Sequence, residues 1–171
     1  MGKSTFSGPV RSLGGFNTVG YNNEITVADG FVNLSLTAED HGGRLLVILD
    51  AANVITLPAI VTTEPSDKTD PNQVCNLGLT FRLLYGVVAS AAVVTTAAAD
   101  NFVGSIGMHK EGTGLVQAFF AATGANDNIT MNGTTTGGLI DSYIEVTATS
   151  RGWLCSQSVP MGSGSLSSPF S

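Results

Sequence analysis

Charge is sparse in this chain: only 12% of its 171 residues are Asp, Glu, Lys or Arg, about half the usual share for a globular domain. Seven are basic and thirteen acidic, for a net charge of −6. The basic residues, Lys3, Arg11, Arg44, Lys68, Arg82, Lys110 and Arg151, are scattered. Binding to DNA or RNA rests on clustered phosphate contacts, and an anionic membrane surface needs a polybasic stretch. Neither nucleic acid nor membrane is therefore expected as a partner.

Histidine and cysteine are equally scarce, with two of each. Cys75 and Cys155 form no Cys-x-x-Cys, so they assemble neither a redox motif nor a zinc site. They read as reduced, partly buried thiols, although antiparallel strands can bring distant cysteines together. His41 and His109 both fall in glycine-flanked segments that read as turns. No Gly-x-Ser-x-Gly elbow places a nucleophile, and no phosphate-loop or dinucleotide fingerprint is complete. Glu24, Asp29, Glu39, Asp50, Asp100, Glu111, Asp141 and Glu145 are available as carboxylates, but nothing singles out a pair at the spacing glycoside hydrolysis requires. The expectation is a protein without enzymatic activity, cofactor or metal.

Also missing is sustained apolar spacing of three and four, so helix should be nearly absent. The N-terminus has no apolar core after Lys3, and it reads as lacking a secretory signal. The uncharged run from Leu83 to Ala99 is poor in Leu, Ile and Phe; its Val-Val, Ala-Ala and Thr-Thr pairs read as buried strands, not a membrane helix.

What is present is 43% hydrophobic residues and a positive mean hydropathy, which exclude a disordered chain. Short runs with period two, or wholly apolar, end at Gly, Asn, Asp or Pro, as strands and turns do. They span 31–37, 44–49, 54–57, 75–84, 87–96, 114–121, 128–132, 142–148 and 153–158. In the fourth, Leu77, Leu79, Phe81 and Leu83 alternate with Asn76, Gly78, Thr80 and Arg82, as the wall of a sandwich or barrel would. The fold expected is all-β: an antiparallel jelly-roll-like sandwich or barrel with an extended N-terminal arm.

Three parts follow: an arm over residues 1–20, a β body over 21–160 and a flexible tail over 161–171. The arm is rich in Gly and Ser yet carries Phe6, Pro9, Val10, Leu13 and Phe16, side chains a plain linker does not need. In the tail, Leu166, Pro169 and Phe170 are the residues able to anchor on a neighbour. The polar stretch from Ile60 to Asn72 reads as an exposed loop, and Asn126-Asp127-Asn128 as a hairpin turn. Trp153 reads as covering a core edge.

The series Leu57-Pro58-Ala59, Phe81-Arg82-Leu83-Leu84-Tyr85, Asp100-Asn101-Phe102-Val103-Gly104-Ser105-Ile106 and Asp141-Ser142-Tyr143-Ile144-Glu145-Val146, with Gly152-Trp153, resembles small β-rich virion proteins of tailed bacteriophages. The opening Ser4-Thr5-Phe6-Ser7-Gly8-Pro9-Val10 is similar to theirs as well. Within that class the reading favoured is a head decoration, or cement, protein. The resemblance implies a homotrimer on the outer capsid surface of the virion that clamps the major capsid protein. Phe6, Pro9, Val10, Arg11 and Phe16 are then the candidate capsid contacts. The alternative is a tail-fibre or receptor-binding module that recognises a host surface glycan through Tyr21, Tyr143 and Trp153.

Overall fold

The computed structural model describes residues 24–30, 33–63, 75–97, 99–112 and 116–171. The expected arm lies outside the described residues.

The first strands are short because polar turns follow each apolar run. They are β1 (Glu24–Val27), β2 (Asn33–Ser35), β3 (Leu45–Ile48), β4 (Val54–Thr56), β5 (Thr80–Tyr85) and β6 (Ala92–Thr95). A one-turn helix, α1 (Ala38–His41), sits between β2 and β3, and the Thr37 side chain caps it by accepting from the Asp40 N–H at 3.1 Å. The odd strands pair in one sheet and the even strands in another, all parallel: β1 with β3, β3 with β5, β2 with β4 and β4 with β6. The crossover that a parallel pair requires, usually a helix, is here a strand of the facing sheet.

The second half closes this coil. It comprises β7 (Phe102–Lys110), β8 (Gln117–Ala121), β9 (Asn128–Met131), β10 (Tyr143–Thr149), β11 (Gly152–Cys155) and β12 (Met161–Gly162). The larger sheet runs β1-β3-β5-β10-β11-β7, with β12 and β8 both pairing with β7; the smaller runs β2-β4-β6-β9. The fold is thus an all-β sandwich. Its pairing is mixed, which corrects the expectation of antiparallel sheets. A chain that alternates between sheets re-enters each one in the same direction.

Two facing ladders build the core. Ile25, Leu46, Leu83 and Ile144 align across the larger sheet, and Leu34, Ile55, Val94 and Ile129 across the smaller. Trp153 is fully buried, with its ring centroid 5.6 Å from that of Phe81. It lies in the core itself, not at its edge.

Several local expectations need revision. Residues 161–171 do not form a loose tail: Phe170 is buried against Phe102, and the Asn128 and Ser171 backbones exchange bonds of 3.0 and 3.1 Å. The anchor is this chain's own core. His109 lies in β7, not in a turn, and Leu77 sits in a turn before β5 and is exposed. Asn126 to Asn128 link β8 to β9, which lie in different sheets, so they form no hairpin. The two cysteines are free. Among the described residues no helix is long and apolar enough to cross a membrane.

Candidate functional site

The outward side of the larger sheet follows from the pleat. Inward-facing Leu46, Ile48, Leu83, Ile144 and Val146 leave their neighbours pointing out. Register places Val47 beside Leu84 and Leu84 beside Tyr143, with Val159 bridging to Tyr143. A second row carries Leu45, Arg82 and Glu145, and a third Thr80, Thr147, Leu154 and Val103. The surface is thus largely apolar or hydroxylic, crossed by the Arg82–Glu145 ion pair.

That ion pair belongs to a small polar network. Glu145 accepts from Arg82 Nε at 3.3 Å, from the Tyr143 hydroxyl at 2.7 Å and from the Ser156 hydroxyl at 3.2 Å. Burial, followed by the hydrogen bond to Glu145 and the carboxylate's charge, pushes the Tyr143 hydroxyl up to about 12, with Arg82 opposing. At neutral pH Tyr143 is a neutral donor that orients the carboxylate.

At the β7–β8 corner the apolar character sharpens. Phe119 is 76% exposed, and Leu154 and Val159 are also exposed. The Phe119 ring lies over Gly107, where an added Cβ would meet its Cε1 at 3.0 Å. Glycine here makes room for the ring. Beside it lies a shallow depression of about 370 Å³ lined by His109, Gln117, Phe119, Cys155, Ser158 and Val159. Burial pushes the Cys155 thiol up to about 12 and so keeps it from being a thiolate nucleophile at neutral pH.

Two of the carboxylates considered from the sequence hold backbone. Asp50 accepts from the Gly30 and Ala52 N–H groups at 2.9 and 2.8 Å, and Asp100 from the Ile60 N–H at 2.7 Å. His41 Nδ1 accepts from the Thr37 N–H at 3.0 Å. No three His, Cys, Asp or Glu side chains are placed to hold a metal among the described residues.

The candidate capsid contacts Phe6, Pro9, Val10, Arg11 and Phe16 lie outside the described residues, as does Tyr21. Of the aromatics offered for glycan stacking, Trp153 is withdrawn into the core and presents no face to a sugar. Tyr143 is half-buried, its hydroxyl held by Glu145. Sequence reading missed Phe119, Leu154 and the Val47–Leu84 row. In Phe119-Phe120 both faces of the strand are apolar, so alternation could not say which ring pointed out.

Searches of family models, curated proteins and solved structures found no match to this chain.

Proposed function

We propose that this chain is a structural virion protein that binds the outer surface of a phage capsid and stabilises the major capsid protein lattice, as a decoration or cement protein. The observation that carries this reading is the outward face of the larger sheet, where Val47, Leu84, Tyr143, Val159, Leu154 and Phe119 present apolar surface to be covered. A face of that kind suits burial against another protein. The sequence at residues 1–20 adds a second element. It carries Phe6, Pro9, Val10 and Phe16 with Lys3 and Arg11, while all thirteen carboxylates lie after residue 23. This arm is proposed to grip adjacent capsid subunits through Phe6, Pro9, Val10, Arg11 and Phe16.

A cement protein works by linkage: it binds the assembled lattice and not the dissociated subunits, so binding free energy becomes shell stability. Trimers placed at symmetry axes turn modest contacts into strong attachment through multivalency. No chemistry at the bound surface is required.

The test is cosedimentation of the purified protein with mature capsids that lack it, combined with heat release of packaged DNA. Saturable binding that raises the release temperature supports the reading, and deletion of residues 1–16 is expected to abolish binding while the circular dichroism of the β body persists. Capsids that bind nothing, with retention on host cells or glycans instead, would transfer the assignment to a tail-fibre or receptor-binding module. Undiminished occupancy by the deletion variant would remove the arm from the contact.

A further inference from the structure

Strand β8 is an outer edge of the larger sheet: among the described strands it pairs only with β7. Natural edges are usually blunted by a lysine, a proline or a bulge, because their free backbone groups recruit other strands. This one is not. No Asp, Glu, Lys, Arg, His or Pro occurs from Gly112 to Asn126. The Lys110 N–H donates to the Val116 carbonyl at 2.9 Å and the Ala122 N–H to the Gly104 carbonyl at 3.0 Å, so the even-numbered residues direct their backbone at β7. The alternation of an antiparallel ladder then turns the N–H and C=O of Gln117, Phe119 and Ala121 toward the open side.

We infer that β8 is a self-association site, on which β8 of a second copy pairs antiparallel about a two-fold axis through Phe119. Two features identify the occupant as this same chain. The first is self-complementarity. Centring the pairing on Phe119 sets Phe119 against Phe119 on the outer face and Ala118 against Phe120 on the inner, with Gln117 against Ala121 and Val116 against Ala122. Large side chains meet small ones inside, the two exposed rings cover each other outside, and Gln117, Phe119 and Ala121 exchange backbone bonds. The second is charge. A chain of net charge −6 repels its own copies wherever acidic surfaces meet, so a contact between copies belongs where charge is missing. A basic partner would be met by carboxylates, and β8 offers none. This two-fold contact shares Phe119 with the apolar face proposed above to meet the capsid, so it concerns the free protein, and its test reads the mass of the free chain and not capsid occupancy.

The test measures the mass of the full chain by sedimentation. Phe119→Lys, at a residue 76% exposed, leaves the core intact and is expected to halve the assembly mass. A register test accompanies it in a Cys75→Ser background. In a hydrogen-bonded antiparallel pair the facing Cα atoms lie about 5.5 Å apart, within the span of a disulfide. Phe119→Cys is therefore expected to cross-link two chains on mild oxidation, while Gln117→Cys, which faces Ala121, does not. A wild-type mass unchanged by Phe119→Lys, a monomeric wild type, or equal cross-linking at both positions would each overturn the inference.

Discussion

The two halves of the sandwich use the same residue types for different ends. In β1 to β6 each strand from β3 onward pairs with the strand two before it, and all pairing is parallel. In β7 to β12 the chain returns to strands far away in sequence, placing β10 antiparallel on β5 and β9 antiparallel on β6. The coil half stacks its own rungs, while the second half joins both sheets and supplies most of the exposed apolar corner. Regular stacking organises the core, and the irregular closure carries most of the large exposed apolar side chains among the described residues.

The strongest way to break this division is at the residue through which the halves meet. Trp153 of β11 packs on Phe81 of β5 and is fully buried. Trp153→Ala is expected to destabilise by about 3–5 kcal/mol, the usual cost of truncating a large buried aromatic. At this size that lowers the melting temperature by about 10 °C. Urea unfolding followed by fluorescence of a retained aromatic and by far-ultraviolet dichroism should give one coincident transition. Separate transitions would mean that the coil half holds its fold without the closure.

How much of this was legible in the sequence depends on the range of the interaction. β5 and β10 showed themselves through alternation, as in Phe81 and Leu83 or Ile144 and Val146, because a strand's two faces are a local property. Pairing direction is not local, and nothing in the turns after β1 or β3 distinguishes a return within the sheet from a crossing to the other. β7, the longest strand, was overlooked because Gly104 and Gly107 interrupt its apolar pattern. Gly104 adopts φ +90°, which L side chains rarely adopt, and an added Cβ would also lie 3.1 Å from the Cys155 carbonyl oxygen, so the backbone itself selects that glycine. On the proposed interaction surface, carboxylates are the easier signal in a sequence, but the residues proposed to make contact are apolar. Their exposure depends on which face the neighbouring strand covers.

A smaller perturbation sharpens the comparison at the C-terminus. The 161–171 segment has a linker's composition, yet Phe170 holds it to the core beside Ile129 and Phe102. Phe170→Ala is expected to cost about 3 kcal/mol, at the low end for a phenylalanine because the site lies at the edge of the core. Hydrogen exchange should accelerate first at Asn128 and Thr130, whose N–H groups donate to the Ser171 and Pro169 carbonyls at 3.0 and 2.8 Å. Unchanged protection there would mean that backbone pairing alone retains the segment.

The mildest perturbation is alkaline pH, which separates the halves by their buried acids. Burial pushes the Cys155 thiol of β11 from 9.0 up to about 12, and it raises the Tyr85 hydroxyl of β5 above its ordinary 10.0. Each group is held neutral in the fold and ionises more easily once unfolded, so each contributes stability that is complete below its unfolded pKa. For Cys155 that contribution declines as pH rises from about 9 toward about 12, by at most about 1.4 kcal/mol per pH unit. Tyr85 and the raised Tyr143 hydroxyl add the same sign of loss only from about pH 10 upward. Between pH 9 and 10 the slope of stability against pH therefore reports chiefly on the thiol. Chemical denaturation at half-unit steps should find that slope in the wild type and a clear reduction of it in Cys155→Ala, with the steeper decline above pH 10 retained. A slope between pH 9 and 10 that survives the substitution would place the first alkaline weakness at a group other than the Cys155 thiol.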